Sequence, residues 1–303
     1  MSVTVTSSYS GQFAGKYIAA SLLAAKTIDD GVVTVLPNIA YKAAMKVGAF
    51  SNLIKNASCD FDTSTSSLAL TEKVLTPKEL QINLDICSKD LVSDWESAQM
   101  GFSAYKELPP LFSDFVISRV AAEVASATET ALWSGTDVDG SFAGFKTQIN
   151  ADGNRTLVTA TDVTSANVVA EIGKVVDAIP SGVYGAEDLY IYCAQNVFKA
   201  YVRALGGFAA TNSGVDAKSH TFYSGGALSF DGVKLYPTSG MGANEMVAAR
   251  ASNLFMGTGL LNDFNEVRTL DMAQLDGSQN YRIIMRYTAG TQIGVGADIV
   301  LYT

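Results

Sequence analysis

Apolar positions recur along this chain with two different periods, and the changes of period mark its elements. From Gln12 to Lys26, Phe13, Tyr17, Ile18, Leu22 and Leu23 recur at helical spacing, with Asp29, Asp30 and Gly31 as a stop. The ten residues before them are polar and β-branched and predict an extended arm. Val32–Leu36 predicts a short strand ended by Pro37. Between Leu53 and Ile86 the period becomes two: Leu80, Ile82, Leu84 and Ile86 alternate with Gln81, Asn83 and Asp85. Upstream, Leu53, Ala57, Cys59 and Phe61 alternate more loosely with polar residues, and the small polar stretch 62–67 separates the two runs. The pair predicts a long hairpin or ribbon. A two-stranded ribbon is marginal in water, so its apolar face needs a surface to lie on, either the main body or a neighbouring subunit.

Helical spacing returns after the ribbon. Lys89 to Met100, with Leu91, Val92 and Trp95, predicts an irregular helix, and Pro109-Pro110 opens a stronger one running to about Trp133. Its stripe is Leu111, Phe112, Phe115, Val116, Val120, Val124 and Leu132, flanked by alanines; Asp114, Arg119, Glu123 and Glu129 occupy much of the opposite side. Residues 134–154 are turn-rich, with Asp139-Gly140 and Asp152-Gly153, and predict a passage between lobes. An α/β region follows: a helix from Val168 to Ile179 stopped by Pro180, a buried strand Asp188–Cys193, and a helix from Val197 to Leu205. A Gly/Ser/Thr/Asn-rich loop runs from Gly206 to Gly226, then a hairpin turns at Asp231-Gly232 and a strand starts at Met246. Tyr281–Tyr287 and Gln292–Tyr302 predict a closing pair of strands around Ala289-Gly290.

The 303 residues, 48% of them hydrophobic, suffice for two lobes with real cores. No apolar run reaches the ~20 residues that span a bilayer, and Met1–Ser8 lacks the basic-then-apolar pattern of a signal peptide, so the expectation is a protein made and used without crossing a membrane. Cys59, Cys87 and Cys193 are odd in number and widely spaced, which excludes a zinc ribbon and argues against a disulfide framework. A Cys59–Cys87 bridge across the ribbon is geometrically conceivable, although two small buried side chains explain them better. The net charge of −9, with cations scattered singly, gives no basic stripe to grip phosphates. Enclosing nucleic acid without binding it stays open.

Candidate chemistry is sparse. His220 is the single histidine, in a polar loop with no Gly-x-Ser-x-Gly elbow to pair with it, so an exposed loop histidine is expected. Asp60-Phe-Asp62 and Asp137-Val-Asp139-Gly140 lack the remaining ligands of a calcium loop and fit turn chemistry. Gly240-Met-Gly242 and Gly257-Thr-Gly259 are fragments of phosphate loops without the third glycine or the Lys-Ser/Thr pair. No catalytic, cofactor or metal residue is nominated.

The order of elements is more informative: arm, helix, β-ribbon, long helix, inserted α/β lobe, return to strands. With the stretches Leu70–Leu91, Pro110–Gly135, Asn253–Arg268 and Tyr281–Tyr302, it resembles the major capsid protein of tailed bacteriophages, the Hong Kong 97-like family, whose fold encapsulin nanocompartments share. The resemblance rests on element order and texture over most of the chain. It implies an α+β fold with an N-terminal arm (1–35), a connecting segment and extended β-hairpin loop (36–90), a peripheral domain with a long spine helix (91–154 and 250–303) and an axial α/β domain (155–249). Gly206–Gly226 would lie at the capsomer centre. Assembly contacts are expected at Phe61, Leu70, Val74, Lys73 and Lys78 of the loop and at Arg119 and Glu123 of the spine helix.

The resemblance further implies a shell protein, not an enzyme, with no cofactor. Its partners would be copies of itself in hexamers and pentamers, a separate scaffolding protein (the chain starts almost at the arm), a portal, and packaged double-stranded DNA that is enclosed but not specifically bound. Its place would be the virion, after assembly in the host cytoplasm and without a membrane. Some family members crosslink a loop lysine to an asparagine; Lys55, Lys73 and Lys78 show no sign of activation and are expected to be plain solvated lysines. The alternatives are an encapsulin-type shell subunit, a small-molecule-binding protein using the lobe 165–205, and a β-rich tail or surface-layer protein, against which the long helix argues.

Overall fold

The computed structural model describes residues 26–39, 41–51, 67–87, 110–205, 228–259, 268–272, 277, 278 and 280–303, with 54, 56 and 59. The helix expected from Gln12, most of the Leu53–Phe61 run, the Lys89–Met100 helix and the Gly206–Gly226 loop with His220 lie outside these residues.

Helix α1 (Lys26–Asp29) leads to strand β1 (Thr34–Leu36), and then β2 (Ala43–Ser51) pairs antiparallel with β3 (Ser67–Leu75) in a ribbon of their own. Strand β4 (Lys78–Cys87) is the alternating run read in the sequence, but it is not an arm of the ribbon. It pairs along its whole length with β12 (Asn280–Ile293). The physical reason lies in its apolar positions: Leu80 and Ile86 are buried and Ile82 packs on the main core, so this face belongs to the body. Beyond β12 the sheet continues to β10 (Leu254–Thr258) and then, in parallel, to β1, while β11 (Arg268–Asp271) pairs with the first residues of β12.

The turn expected at Ala289-Gly290 does not occur; β12 runs through it for 14 residues. Gly290 stands opposite Gly257 on β10, and both serve close approach. A Cβ on Gly290 would come within 2.9 Å of Pro77 Cα, and one on Gly257 would overlap the Leu75 and Ile39 side chains. The paired glycines form a notch that receives the chain where β3 turns into β4, and Leu75 is wholly buried there.

Helix α2 (Pro110–Ser134) matches the long helix of the sequence. Its 25 residues, at ~1.5 Å each, span about 37 Å. Val120, Val124 and Leu132 of the expected stripe are buried. Glu129, expected on the polar side, is also buried, because α1 covers it. The turn-rich passage contains a helix the sequence reading missed, α3 (Phe145–Asp152), closed by Gly153 at φ 73°. Only Phe145 and Ile149 mark its buried face, and Thr147, Asn150 and Asp152 are weak helix formers.

The second sheet has six strands in the order β5 (Thr156–Val158), β13 (Val300–Tyr302), β9 (Met246–Arg250), β6 (Leu189–Ala194), β8 (Val233–Thr238) and β7 (Ser229–Phe230). Strand β13, placed by the resemblance with the peripheral unit and read as part of the closing pair, inserts here between β5 and β9. The hairpin at Asp231-Gly232 forms as expected, with φ 46° and 82° at the two turn residues. Helices α4 (Val168–Asp177) and α5 (Gln195–Ala204) pack on one face, against Leu189, Ile191, Cys193, Met246, Ala248, Val300 and Tyr302.

The alternate residues of the same strands, Tyr192, Val247, Ala249 and Leu301, join a second core with α2, α3 and the first sheet. This sheet is therefore a shared wall between two cores. A buried carboxylate paired with a half-exposed lysine fixes β13: Tyr302 donates to Glu171 Oε2 at 2.8 Å, and Lys174 Nζ contacts both Glu171 oxygens at 2.8 and 2.9 Å. The Lys174 hydrogen bonds hold the Glu171 carboxyl below the usual carboxylate range against the opposing effect of burial.

Candidate assembly surface

The ribbon is built from nine cross-strand pairs, from Ala43↔Leu75 to Ser51↔Ser67, and extends about 30 Å at ~3.4 Å per residue. Alternation puts Ala44, Lys46 and Gly48 of β2 on one face with Leu68, Leu70, Glu72 and Val74 of β3. Leu68, Leu70 and Val74 are 53%, 65% and 41% exposed. Gly48 gives Leu70 room to lie across the ribbon: the leucine Cδ2 is 3.4 Å from where a Cβ would stand. Lys46 faces Glu72 across the strands, the one oppositely charged pair on an otherwise apolar strip. Met45 and Val47, on the reverse face, are half-buried. At the root, Tyr41 is 74% exposed, with Lys42 Nζ 5.0 Å from its ring centre.

Of the residues expected to make contacts, Leu70 and Val74 share this exposed face. Phe61 lies outside the described residues. Lys73 and Lys78 are not the solvated lysines expected. Lys73 reaches Asp152 Oδ1 at 2.7 Å, joining the ribbon to the end of α3. Lys78 donates to the carbonyls of Val138 and Ser141, both at 2.9 Å, with Asp137 Oδ1 at 3.4 Å. Both ammonium groups tether the ribbon's root. Arg119 and Glu123 face each other on α2 at 3.8 Å, an i,i+4 pair away from the ribbon's strands. The free thiols of Cys59 and Cys87 leave the conceivable ribbon disulfide unformed.

Sequence reasoning missed Leu68 and the whole of β2. The signal was present, since Ala43–Phe50 is a near-continuous apolar run broken only by Lys46 and Gly48, but it lacks the strict alternation that exposed β4. It also missed the seat. Gly257, noted only as a fragment of a phosphate loop, holds Leu75.

Removing the tethers separates anchoring from folding. Lys73→Ala and Lys78→Ala are each expected to change global unfolding by no more than about 1 kcal/mol, because the pairs are partly exposed. Amide exchange in β2 and β3 is expected to accelerate while β6 stays unchanged. Unaltered ribbon exchange in the double variant would show that Leu75 alone anchors it.

The α/β unit carries a cleft of about 410 Å³ between the 184–189 loop and the β7–β8 turn, lined by Tyr184, Glu187, Asp231 and Lys234. Within it the Tyr184 hydroxyl donates to the Asp231 carbonyl at 2.8 Å, and Lys234 Nζ approaches the Glu187 carbonyl at 3.5 Å.

No protein-family model matches the chain, and no curated protein matches it. Solved structures do. The chain is similar to the capsid of Myoviridae phage XM1, with a TM-score of 0.64 at 12% identity, over 97% of this chain and 96% of that one. It is similar to the capsid of a native GTA particle, with a TM-score of 0.63 at 13% identity, over 96% and 94%. Mycobacterium phage Che8 gives a TM-score of 0.56 at 10% identity over 100% and 98%. The fold is that of tailed-phage capsid proteins, in agreement with the resemblance found in the sequence.

Proposed function

We propose that this chain is the major shell subunit of a tailed double-stranded-DNA phage and works by closing an icosahedral head through repeated contacts between copies of itself. The observation that carries this reading is the ribbon: Leu68, Leu70 and Val74 form an exposed apolar strip on a two-stranded element with its own chain behind it. Such a strip costs solubility unless something covers it, and a capsid-type fold supplies identical neighbours at fixed spacing. One strip per subunit, each lying on the next copy, makes many modest contacts cooperative. The role is structural rather than enzymatic, and it is carried out in the virion after assembly in the host cytoplasm. Scaffolding is supplied by a separate protein and the DNA entrance by a portal. The acidic balance of −9 suits a wall that bounds packed DNA without adhering to it.

Negative-stain electron microscopy of the purified chain, with light scattering for mass, tests this. Shells, tubes, sheets or five- and six-membered rings are expected, alone or with neighbouring gene products. A chain that stays monomeric under all these conditions would overturn the proposal. Shells that co-purify with a cargo enzyme would move it to the encapsulin kind.

A further inference from the structure

A second device sits where the N-terminal segment meets α2. Thr27 is fully buried although it belongs to a helix of only four residues. Its amide lies 3.4 Å from Glu129 Oε2, its hydroxyl contacts Glu129 Oε1, and the Trp133 indole N–H donates to that hydroxyl oxygen at 3.2 Å. Glu129 is 1% exposed and has no ion-pair partner among the described residues.

Among the described residues, the groups shown to act on this carboxyl are acidic or neutral. Asp30 is the charge that acts on it, and Asp30 Oδ2 accepts from the Tyr236 hydroxyl of β8 at 2.5 Å. Asp29 and Glu129 also act on Tyr236. From β6, Tyr192 stacks on Trp133 with ring centres 4.8 Å apart and donates to Val32 O. From the 238–242 loop comes backbone: Gly240 lies so close to Glu129 O that a Cβ would overlap it.

We propose that Glu129 is a proton-dependent latch on the N-terminal segment: neutral Glu129 keeps α1 (Lys26–Asp29) docked on α2, and ionised Glu129 favours its release. The Thr27 hydroxyl donates to Oε1 and the Thr27 N–H approaches Oε2, and a neutral carboxyl keeps both contacts through its lone pairs. Ionisation sends the carboxyl proton to solvent and leaves a carboxylate out of water, facing Asp30 and with no cation paired to it among the described residues. Undocking hydrates it, so the charged form gains more from opening than the neutral form does. Burial accordingly pushes the Glu129 carboxyl above its ordinary range, against the hydrogen bonds of Thr27 and Trp133, and Asp30 adds to the rise. The sign follows. Docking is strongest below the ordinary carboxylate range, weakens as pH rises through that range, and levels off above the raised midpoint of the docked form.

The test is hydrogen exchange of the 27–31 amides in the full chain from about pH 4 to about pH 9, corrected for intrinsic rates, with β6 amides as internal reference. One proton coupled to opening makes the opening constant climb by up to about tenfold per pH unit between the two midpoints. In Glu129→Gln, which keeps the shape and cannot ionise, the profile is expected to be flat. Asp30→Asn leaves the latch in place but removes the facing charge, so its profile should level off at lower pH with a smaller total rise. A flat wild-type profile, or an unchanged slope in Glu129→Gln, overturns the proposal. If Glu129→Gln does not fold, an Asp30→Asn profile identical to wild type overturns it equally.

Discussion

A Leu68→Asp, Leu70→Asp double variant is expected to fold as the wild type does and to lose assembly. Both leucines stand on the outward face of the ribbon, 53% and 65% exposed, so the folded chain has little to lose from a polar group there. The unfolding free energy should change by no more than about 0.5 kcal/mol. At a contact with another copy the effect reverses. Covering a leucine is worth on the order of 1.5–3 kcal/mol when complete, and a carboxylate in its place must be desolvated without a partner. Losing even half of that at two positions weakens each contact by roughly ten- to a hundredfold, at about 1.4 kcal/mol per factor of ten. Because every subunit repeats the loss, closure should fail altogether. The measurement is sedimentation of the assembled fraction beside a denaturant melt. Shells at wild-type yield would remove the ribbon from the assembly mechanism. Deleting the whole ribbon is a cruder experiment, because Leu75 at its root belongs to the core and must stay.

Trp133→Ala is the complementary change, aimed at the fold. The side chain is 1% exposed. It touches Phe145 of α3 at a ring-centre distance of 5.4 Å and Tyr192 of β6 at 4.8 Å, and its N–H reaches Thr27 of α1. Four elements meet on one indole. Truncation removes the largest fully buried side chain among the described residues, in a place where those elements cannot all collapse inward, so a loss of about 3–5 kcal/mol is expected. Trp133→Phe should cost less, because it keeps most of the volume and loses the hydrogen bond. A chemical melt of both variants separates packing from bonding. A loss under about 1 kcal/mol for the alanine variant would mean that the two cores do not depend on this joint.

Legibility in the sequence followed the strength of local periodicity. Helix α2, helix α4 and strand β6 could be placed because a single stripe or an unbroken buried run marks each of them. Helix α3 could not, because two apolar residues in eight give no period. Of the assembly surface, Leu70 and Val74 were legible as a β-rich stretch. Leu68 and the β2 strand were not, and Lys73 and Lys78 changed role from solvated charges to tethers.

By itself, the sequence determined the kind and order of the strongly periodic elements, because hydrophobic period and helix stops such as Pro180 act within a few residues. That order was enough to find the fold class. Which strands pair was decided only in three dimensions. Leu80 to Ile86 alternates equally well as a ribbon arm or as a body strand, and the choice fell to the partner that buries its face, β12. Ala289-Gly290 looks like a turn locally, yet the notch needed by Leu75 and Pro77 requires glycine inside a strand. Glu129 looks like a surface residue of its helix until a segment 102 positions earlier in the chain covers it. In each case the deciding energy is burial against residues distant in sequence, and no local pattern contains it.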